Sequence, residues 1–383
     1  MLFEFISFLF QNQNNKLSLQ PIYKNFMKPT PSNTKQAVEL LKMLISTPSI
    51  SRDEGDAADK LQTLIERSTP VALEIHRHIN NIWCIAPGFD ASRPTLLLDA
   101  HIDTVKPVEN WSNPPFTPIV EGDKISGLGS NDDGASLVTL LQVFYLICQN
   151  PQSYNTIFLA SAEEEVSGKN GIEAVIPLLP PITCAIIGEP TGMQPAIAEK
   201  GLMVLDCTAV GVAGHAARNE GVNAIYEAIK DIDWFRNYKF PNSSPLLGDV
   251  KMSVTQINSG IQHNVVPDKC SFVVDVRSNE CYSNAELLDI IKSHVSCDVQ
   301  PRSLRLNSSS ISLEHPLVCR AKEYGRIPFG SPTLSNQALL SVPSLKMGPG
   351  DSSRSHTANE YILVSEIKEA IELFVKILDG LEL

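Results

Sequence analysis

Three adjacent glutamates occupy positions 163–165, directly after an uncharged segment at residues 157–162. The same pattern occurs twice more, where His101 and Asp103 end the segment "PTLLLDAHID" and Glu189 follows "CAIIG". Carboxylates gathered in one crevice repel one another and resist loss of water unless a cation is present. A divalent metal ion is therefore the simplest explanation of this pattern.

The segments that precede these side chains are predicted strands. "PTLLLDAHID", "TIFLASAEEE" and "CAIIGEPT" are continuous apolar runs, and helical patterns such as "GASLVTLLQVFYLICQ" separate them. This alternation predicts an α/β fold with a doubly wound parallel sheet that is covered on both faces. Ligands bind outside the carboxyl ends of strands in such sheets, so we expect the ionisable side chains to converge on one crevice.

Two loop segments add further candidate ligands. "GLGSNDDGAS" places Asp132 and Asp133 at the start of a predicted helix, and "GPGDSSRSHTANE" contains His356. The first segment does not have GxGxxG spacing, and two aspartates stand where a phosphate would bind, which disfavours a nucleotide site. An isolated loop histidine is usually solvated, so His356 alone is weak evidence of a metal site.

Residues 202–306 have a different order of elements, strand-helix-strand-strand-helix-strand, which is typical of a ferredoxin-like layer. Helical patterns return after it, so we predict that this inserted segment interrupts the first domain. The predicted organisation is an N-terminal extension at 1–33, a catalytic domain at 34–201 and 307–383, and the inserted segment.

Composition excludes other classes. The chain has 383 residues, a formal net charge of −12 and no basic run, which argues against nucleic acid as a partner. Its eight cysteines form no CxxC pair, which favours free thiols in a reducing, cytoplasmic compartment. The apolar start "MLFEFISFLF" is short and contains Glu4, so we expect neither a signal peptide nor a membrane span. The first helix is predicted to begin after a capping Asn33 or Thr34.

Several motifs carry a resemblance to a known family. "HIDTV", "GSNDDGAS", "SAEEEVSG", "GEPT", "GVAGHAAR", "NVVPDKCSFVVDVR" and "GPGDSSRSHTANE" occur in order between about residues 35 and 375. They resemble the metallohydrolase family that contains acetylornithine deacetylase, succinyl-diaminopimelate desuccinylase, aminoacylase-1 and glutamate carboxypeptidase. The resemblance implies a zinc-peptidase-like catalytic domain with an inserted dimerisation lid, and hence a homodimer.

The resemblance also implies a pair of metal ions. His101 and Glu189 would hold one ion, Glu165 and His356 would hold the other, and Asp132 would bridge both. Imidazole and carboxylate ligands suit Zn²⁺, and Co²⁺ or Mn²⁺ can substitute in such mixed sites.

The chemistry implied is hydrolysis of an amide. Glu164 would be the general base that takes a proton from the attacking water and returns it to the leaving amine. Asp103 would accept the second N–H of the metal-binding imidazole and fix its tautomer. Glu163 has no assigned role and either tunes the site or faces solvent. As in relatives, we expect a cis peptide between Asp132 and Asp133.

Residues near the inserted segment are expected to contact the substrate. By resemblance, His215 would reach the active site from the partner subunit and donate to the oxyanion. Asn264 and Arg277 would bind the substrate, and Lys200 would meet a carboxylate from its place at the hinge. Two alternatives remain open, namely a solvated His215 and an Arg277 that pairs with a surface acid.

The substrate is expected to be an N-acyl amino acid that loses an acetyl or succinyl group. "ENW", "AEKGL" and "GPGDSSRSHTANEY" resemble the family members that act on N-acetyl- or N-succinylornithine in arginine biosynthesis. Succinyl-diaminopimelate desuccinylase or a small metallo-exopeptidase would use the same metals. A non-catalytic binding protein of this fold is disfavoured because all the implied ligands and the base are present.

Overall fold

The computed structural model describes residues 29–218 and 220–383. Within these ranges the α-helices are α1 (Pro31–Ile45), α2 (Gly55–Ser68), α3 (Gly134–Ile147), α4 (Ile172–Val175), α5 (Ala224–Asn237), α6 (Asn284–His294), α7 (Pro316–Glu323) and α8 (Val364–Leu378). The strands are β1 (Glu74–His78), β2 (Asn81–Ile85), β3 (Thr95–His101), β4 (Ile119–Glu121), β5 (Lys124–Ser126), β6 (Asn155–Ser161), β7 (Cys184–Ile187), β8 (Ala196–Glu199), β9 (Met203–Val210), β10 (Gly214–His215), β11 (Lys251–Ser259), β12 (Val265–Val266), β13 (Lys269–Arg277), β14 (Asp298–Pro301), β15 (Ser309–Ser310), β16 (Phe329–Ser331), β17 (Ser344–Lys346) and β18 (Tyr361–Leu363). No helix in the described part combines the length and the apolar character needed to span a bilayer.

The largest sheet has nine strands in the order β1-β2-β6-β3-β7-β17-β8-β15, with β16 beside β8. Its centre, β6, β3, β7 and β17, is parallel, which confirms the predicted α/β sheet. Antiparallel strands were not predicted at its two sides, where β1 and β2 form a hairpin beside β6 and β15 pairs with β8. β1 is mostly polar and β15 has only two residues, so neither has the continuous apolar run that marks a buried parallel strand. β2 is mostly buried and apolar, and its antiparallel direction is not encoded in that pattern.

Apolar side chains cover both faces of this sheet. Leu96 and Leu98 of β3 pack in one buried cluster with α3, α1 and α8, and every residue of α3 is buried. Leu97, between them in sequence, belongs to a second cluster with residues of α4 and of the 3-10 helix Ile176–Leu178. The alternation is what a strand buried on both sides requires. It makes the sheet a firm base for the side chains at its carboxyl edge.

The inserted segment builds its own four-stranded antiparallel sheet in the order β11-β13-β9-β14. The chain order of the strands and helices is β9, α5, β11, β13, α6, β14, as the sequence predicts. A separate apolar cluster that includes Leu205, Phe272 and Ile291 joins both helices to the sheet. The boundaries at 202 and 306 remain predictions.

The first helix begins earlier than predicted. Thr30 is its N-cap, Pro31 occupies the first turn, and the Thr30 N–H donates to Asn33 Oδ1 at 3.0 Å. Asn33 is therefore a residue of the first turn rather than the cap, an arrangement that Pro at the first helical position favours. Residues 1–28 of the predicted extension lie outside the described residues.

The eight cysteines all lie in the described ranges and are free thiols, as predicted. Cys84, Cys184, Cys207 and Cys270 are buried. Burial raises the pKa of Cys84 and of Cys184 to about 12, so their reactive thiolate forms are disfavoured.

We expect Phe144→Ala to lower the free energy of unfolding by about 3–5 kcal/mol, because truncation of a buried aromatic ring leaves a cavity. Phe144 is 0% exposed, and its ring packs against that of Phe158. Urea denaturation of both proteins measures the difference. The control Val120→Ala, at a site that is 51% exposed, should change the value by less than about 0.5 kcal/mol. An equally small change for Phe144→Ala would contradict the packing described for α3.

Candidate metal centre

The candidate ligands follow the carboxyl ends of parallel strands or lie in the loops beside them. His101 is the last residue of β3, the glutamates 163–165 follow β6, and Glu189 follows β7. Asp132 lies in the loop before α3, and His356 lies in the loop after β17. Apart from that of Glu163, these side chains lie together at one edge of the large sheet.

Asp132 lies between the two imidazoles. Its Oδ1 atom is 3.2 Å from His101 Nε2, and its Oδ2 atom is 3.5 Å from His356 Nε2. His356 Nε2 is also 3.0 Å from Glu165 Oε2. A carboxylate with one oxygen directed at each histidine has the placement that a bridging ligand needs.

Two groups of side chains have ligand atoms close enough to share an ion. His101, Glu164 and Glu189 form one group, and His101, Asp132 and Glu165 form the other, with ligand atoms within 4.8 Å of one another in each. Imidazole and carboxylate donors fit Zn²⁺ and related divalent ions. Glu164, the predicted base, therefore lies among the ligands, as it must if it serves a water held there.

Burial and crowding shift the protonation of this cluster. Burial raises the pKa of Glu164 well above its usual range and raises that of Glu189 to about 8. The hydrogen bond to Glu165 raises the pKa of His356 to about 9. Burial alone would lower the pKa of His101, but hydrogen bonds to two aspartates raise it well above its ordinary value. The cluster therefore retains protons that a divalent cation would displace.

Asp103 holds both a histidine and the glutamate turn. The Nδ1 atom of His101 is 2.9 Å from the main-chain oxygen of Asp103 and 3.4 Å from its carboxylate, so the nearer acceptor is the carbonyl rather than the predicted carboxylate. That carboxylate accepts from the N–H groups of Glu164 and Glu165 at 3.0 and 3.2 Å and from Ser51 Oγ at 2.7 Å. If Nδ1 donates, Nε2 is left free to bind a metal.

Glu163 turns away from the centre. It has a left-handed backbone with φ of 54° and is 7% exposed, so it does not face solvent. Its Oε1 atom accepts from Asn170 Nδ2 at 3.0 Å, and its N–H donates to Glu54 Oε1 at 3.2 Å. The structure gives this residue an anchoring contact within the loop.

Glu360 is an important residue that the sequence analysis missed. It is 2% exposed, and its carboxylate accepts from the N–H groups of Gly129, Asn131 and Asp132 at 3.1, 2.8 and 2.9 Å. It fixes the loop that presents Asp132. Its place four residues after His356, within the same motif, was the signal available in the sequence.

The peptide between Asp132 and Asp133 is cis, as predicted. Asp133 is buried, and its Oδ2 atom accepts from the N–H of His101 at 3.3 Å. Gly188 permits this close approach, because a Cβ there would lie 2.7 Å from Ser136 Cβ and 3.1 Å from Asp133 Oδ2. Close packing against Ser136 and Asp133 therefore explains why a glycine precedes Glu189.

A buried ion pair, also missed, lies next to the centre. Lys346 Nζ is 3.4 Å from Glu199 Oε2, and the two residues are 2% and 0% exposed. The positive charge of Lys346 opposes the rise in the pKa of Glu189 that burial causes. Such a pair is costly to bury unless hydrogen bonds complete it, and Thr333 accepts two from Lys346 Nζ.

His215 and Asn264 lie close to each other but make no described contact with the metal centre. His215 is exposed on β10, and its Nδ1 atom accepts from the N–H of Ala217 at 3.2 Å. The main-chain oxygen of Asn264 accepts from the N–H of Ala216 at 3.1 Å. Their roles at the active site remain predictions.

Arg277 and Lys200 also have other partners. Arg277 binds the carboxylate of Asp275 through two hydrogen bonds of 2.9 and 3.1 Å, which agrees with the alternative that it pairs with a surface acid. Lys200 Nζ donates to the main-chain oxygen of Asp249 at 3.2 Å, not to a carboxylate. Substrate binding by either residue remains a prediction.

The chain is similar to known proteins in both sequence and structure. Residues 97–380 match the model of peptidase family M20/M25/M40. Acetylornithine deacetylase of Pectobacterium atrosepticum is 26% identical over 90% of this chain and 98% of its own length. Succinyl-diaminopimelate desuccinylase of Erythrobacter litoralis is 24% identical over 68% of this chain and 74% of its own. The structure of the Bacillus subtilis YXEP protein, described as a dinuclear metal-binding peptidase, superposes with a TM-score of 0.67 at 15% identity, covering 91% of this chain and 98% of that one.

We expect Glu360→Gln to weaken metal binding by about 10- to 100-fold, the usual effect of removing a partner that orients a ligand. A glutamine offers one acceptor oxygen and one NH₂ group to three N–H donors, so the loop of Asp132 loses support. Competition with a chromophoric chelator measures the affinity. Glu369→Gln removes the same charge at an exposed position of α8 and should bind metal like the wild type. Equal affinities in the two variants would contradict the role given to Glu360.

Proposed function

Because the chain belongs to peptidase family M20/M25/M40, we propose that it is a metal-dependent amidohydrolase that removes the acyl group from an N-acyl amino acid. One observation carries the proposal. The carboxylate of Glu164, whose pKa is raised, has an oxygen within 4.8 Å of ligand atoms of His101 and Glu189. It lies at the carboxyl edge of the large sheet, where neighbouring loops supply further candidate ligands.

We propose two divalent ions at this centre, Zn²⁺ in the first instance, with Co²⁺ as a substitute. Five side chains would hold them, namely those of His101, Glu189, Asp132, Glu165 and His356. When bound, such ions polarise the amide carbonyl and lower the pKa of the attacking water toward about 7.

Glu164 would move the proton. Its carboxylate takes a proton from the attacking water and gives it to the nitrogen of the leaving amine. Burial raises the pKa of this carboxyl, which allows it to hold the proton between the two transfers. The Asp103 carboxylate, which accepts from the N–H of Glu164, keeps the base at the edge of the ligand cluster.

N-acylornithine is the proposed substrate. The support is the resemblance of the motif around His356 to ornithine deacylases and the match to a protein named acetylornithine deacetylase along nearly the whole chain. A match to a succinyl-diaminopimelate desuccinylase of similar identity keeps that substrate as the alternative, together with small peptides.

We further propose a homodimer that forms through the inserted segment. Val222, Tyr226 and Ile229 are 45%, 66% and 52% exposed and recur at helical spacing on and before α5. Ile257, 57% exposed, lies on β11, the edge strand of the four-stranded sheet. An open edge strand beside exposed apolar side chains suits a second copy of the chain. His215 of one subunit would then supply the oxyanion donor to the other.

We expect Glu164→Gln to retain bound metal and to lower kcat by about 10²- to 10⁴-fold, the usual contribution of a general base. Amine release from N-acetylornithine, N-succinylornithine, N-succinyl-diaminopimelate and dipeptides by the zinc- or cobalt-loaded protein measures turnover, with chelator as a further control. Glu163→Gln is the matched variant and should retain most of the activity, because the amide oxygen of glutamine can still accept the hydrogen bond from Asn170 Nδ2. A fully active Glu164→Gln would rule out this base, and a silent wild type would favour a non-catalytic binding protein.

We expect Ile229→Asp to shift the protein from dimer to monomer and to lower activity together with dimer content, because a buried charge at an interface is costly. Sedimentation velocity measures the oligomeric state. Lys230→Ala, next along the helix and 68% exposed at its side chain, should leave the dimer intact. A wild-type monomer with full activity would contradict both the dimer and the role of His215 across it.

A further inference from the structure

The loop that carries Glu164 and Glu165 has an unusual backbone. Glu163 and Ser167, the residues that flank the 3-10 helix Glu164–Val166, have φ values of 54° and 44°. Non-glycine residues rarely adopt this left-handed conformation, and it persists only where surrounding contacts enforce it. The position of the proposed base therefore depends on what anchors this loop.

The near end of the loop is anchored by the large-sheet part of the chain. Asp103 accepts from the N–H groups of Glu164 and Glu165, and the side chain of Glu163 accepts from Asn170. These contacts hold the loop where it leaves β6. The bond between Glu163 and Asn170 also closes the loop across Ser167, but none of these side chains contacts Ser167 itself, where the second left-handed residue turns the chain.

The far end is held by a residue from a distant part of the sequence. Arg305 Nη1 is 2.7 Å from Glu173 Oε2, on α4, and Arg305 Nη2 donates to the main-chain oxygen of Ser167. One guanidinium group therefore joins both sides of the turn that follows the glutamates. The planar fork of arginine suits such a double contact better than an ammonium group.

Arg305 lies on the path between the two sheets. It belongs to the segment that leads from β14, in the four-stranded sheet, back to β15, in the large sheet. The next residue, Leu306, is buried, and its oxygen accepts from the N–H of Leu202, on the outgoing connection, at 2.9 Å. A movement of the inserted segment relative to the large sheet would displace Arg305 as well.

We propose that Arg305 is a positioning residue, which fixes the loop of Glu164 and Glu165 and ties it to the segment that returns from the four-stranded sheet. The proposal rests on the proposed function for the catalytic roles of those two glutamates. Its structural part, the anchoring of the loop at Ser167 and Glu173, stands apart from the choice of substrate.

The effect of losing this contact should be local. The side chains of Arg305 and Glu173 are 25% and 41% exposed, and ion pairs open to solvent add little to global stability. The turn at Ser167 keeps main-chain bonds of 2.8 Å from the N–H of Ser167 to Glu164 and from the N–H of Gly168 to Glu163. Arg305, however, makes the one described side-chain hydrogen bond to Ser167, so local opening there should become more frequent without it. A small shift of a catalytic group lowers turnover strongly, by about 100-fold for a displacement near 1 Å.

Limited proteolysis tests the anchoring without reference to activity. Lys169 is exposed within the loop and provides a trypsin site there. We expect trypsin to cleave Arg305→Ala after Lys169 about fivefold faster than the wild type or more, with an unchanged Tm, because cleavage follows local opening. Arg302→Ala is the matched control, since Arg302 makes two hydrogen bonds to Asp206 within the four-stranded sheet and should be cleaved at the wild-type rate. Wild-type cleavage of Arg305→Ala would overturn the proposal.

Kinetics tests the positioning role on the substrate that the wild type cleaves. For Arg305→Ala we expect kcat to fall about tenfold or more with a smaller change in KM and wild-type metal content, because a misplaced base slows the chemical step. Arg305→Lys should recover part of kcat, and Arg302→Ala should match the wild type. An unchanged kcat in Arg305→Ala that is cleaved faster would overturn the positioning role. A wild type that is silent on every substrate would overturn the proposed function instead, and proteolysis would still decide the anchoring.

Discussion

The molecule must hold several carboxylates close together at one edge of a buried sheet. Glu164 and Glu189 share one group of ligand atoms with His101, and Asp132 and Glu165 share another, with the atoms of each group within 4.8 Å of one another. The repulsion between these carboxylates grows as water is excluded. Imidazoles offset part of the charge, and Lys346 adds a buried positive charge nearby. Burial raises the pKa of Glu189 to about 8, so protons take up part of the remaining charge, and a divalent cation bound there would displace them.

Buried packing and main-chain hydrogen bonds around the candidate ligands offset this electrostatic cost. The ligands stand at the ends of parallel strands that are packed on both faces, because strands place side chains more firmly than free loops do. Where a loop must supply a ligand, a second buried carboxylate fixes its backbone. Asp103 does so for the glutamate turn, and Glu360 does so for the loop of Asp132. Negative groups that accept main-chain N–H bonds thus position negative groups that are candidate metal ligands.

The sequence predicts what depends on local pattern. It predicts the apolar strands, the side chains at their ends and the order of elements in the inserted segment, because each of these depends on periodicity or on neighbouring residues. Contacts between residues that are distant in sequence cannot be predicted in this way. Glu360 binds a loop more than 220 positions earlier, and Arg305 binds Glu173, 132 positions earlier. The pairing of Arg277 with Asp275, two positions away, competes with a substrate role that the motif alone suggested. The start of α1 was misplaced because Thr30 and Pro31 precede the apolar pattern that marks the helix.

The candidate site residues are divided between the large-sheet part of the chain and the inserted segment. Every candidate metal ligand belongs to the large-sheet part of the chain, whereas His215, Asn264 and Arg277 belong to the inserted segment and contact none of those ligands within the described residues. The proposed amide hydrolysis would require the ions, the base and the oxyanion donor within contact of one carbonyl group. If these residues take part, the inserted segment must therefore move toward the candidate metal ligands. Alternatively, a second chain must place its own inserted segment there. In either case the two connections between the large sheet and the inserted segment determine how these parts of the chain approach each other. Arg305 lies on one of these connections and contacts the loop that carries Glu164, the proposed base.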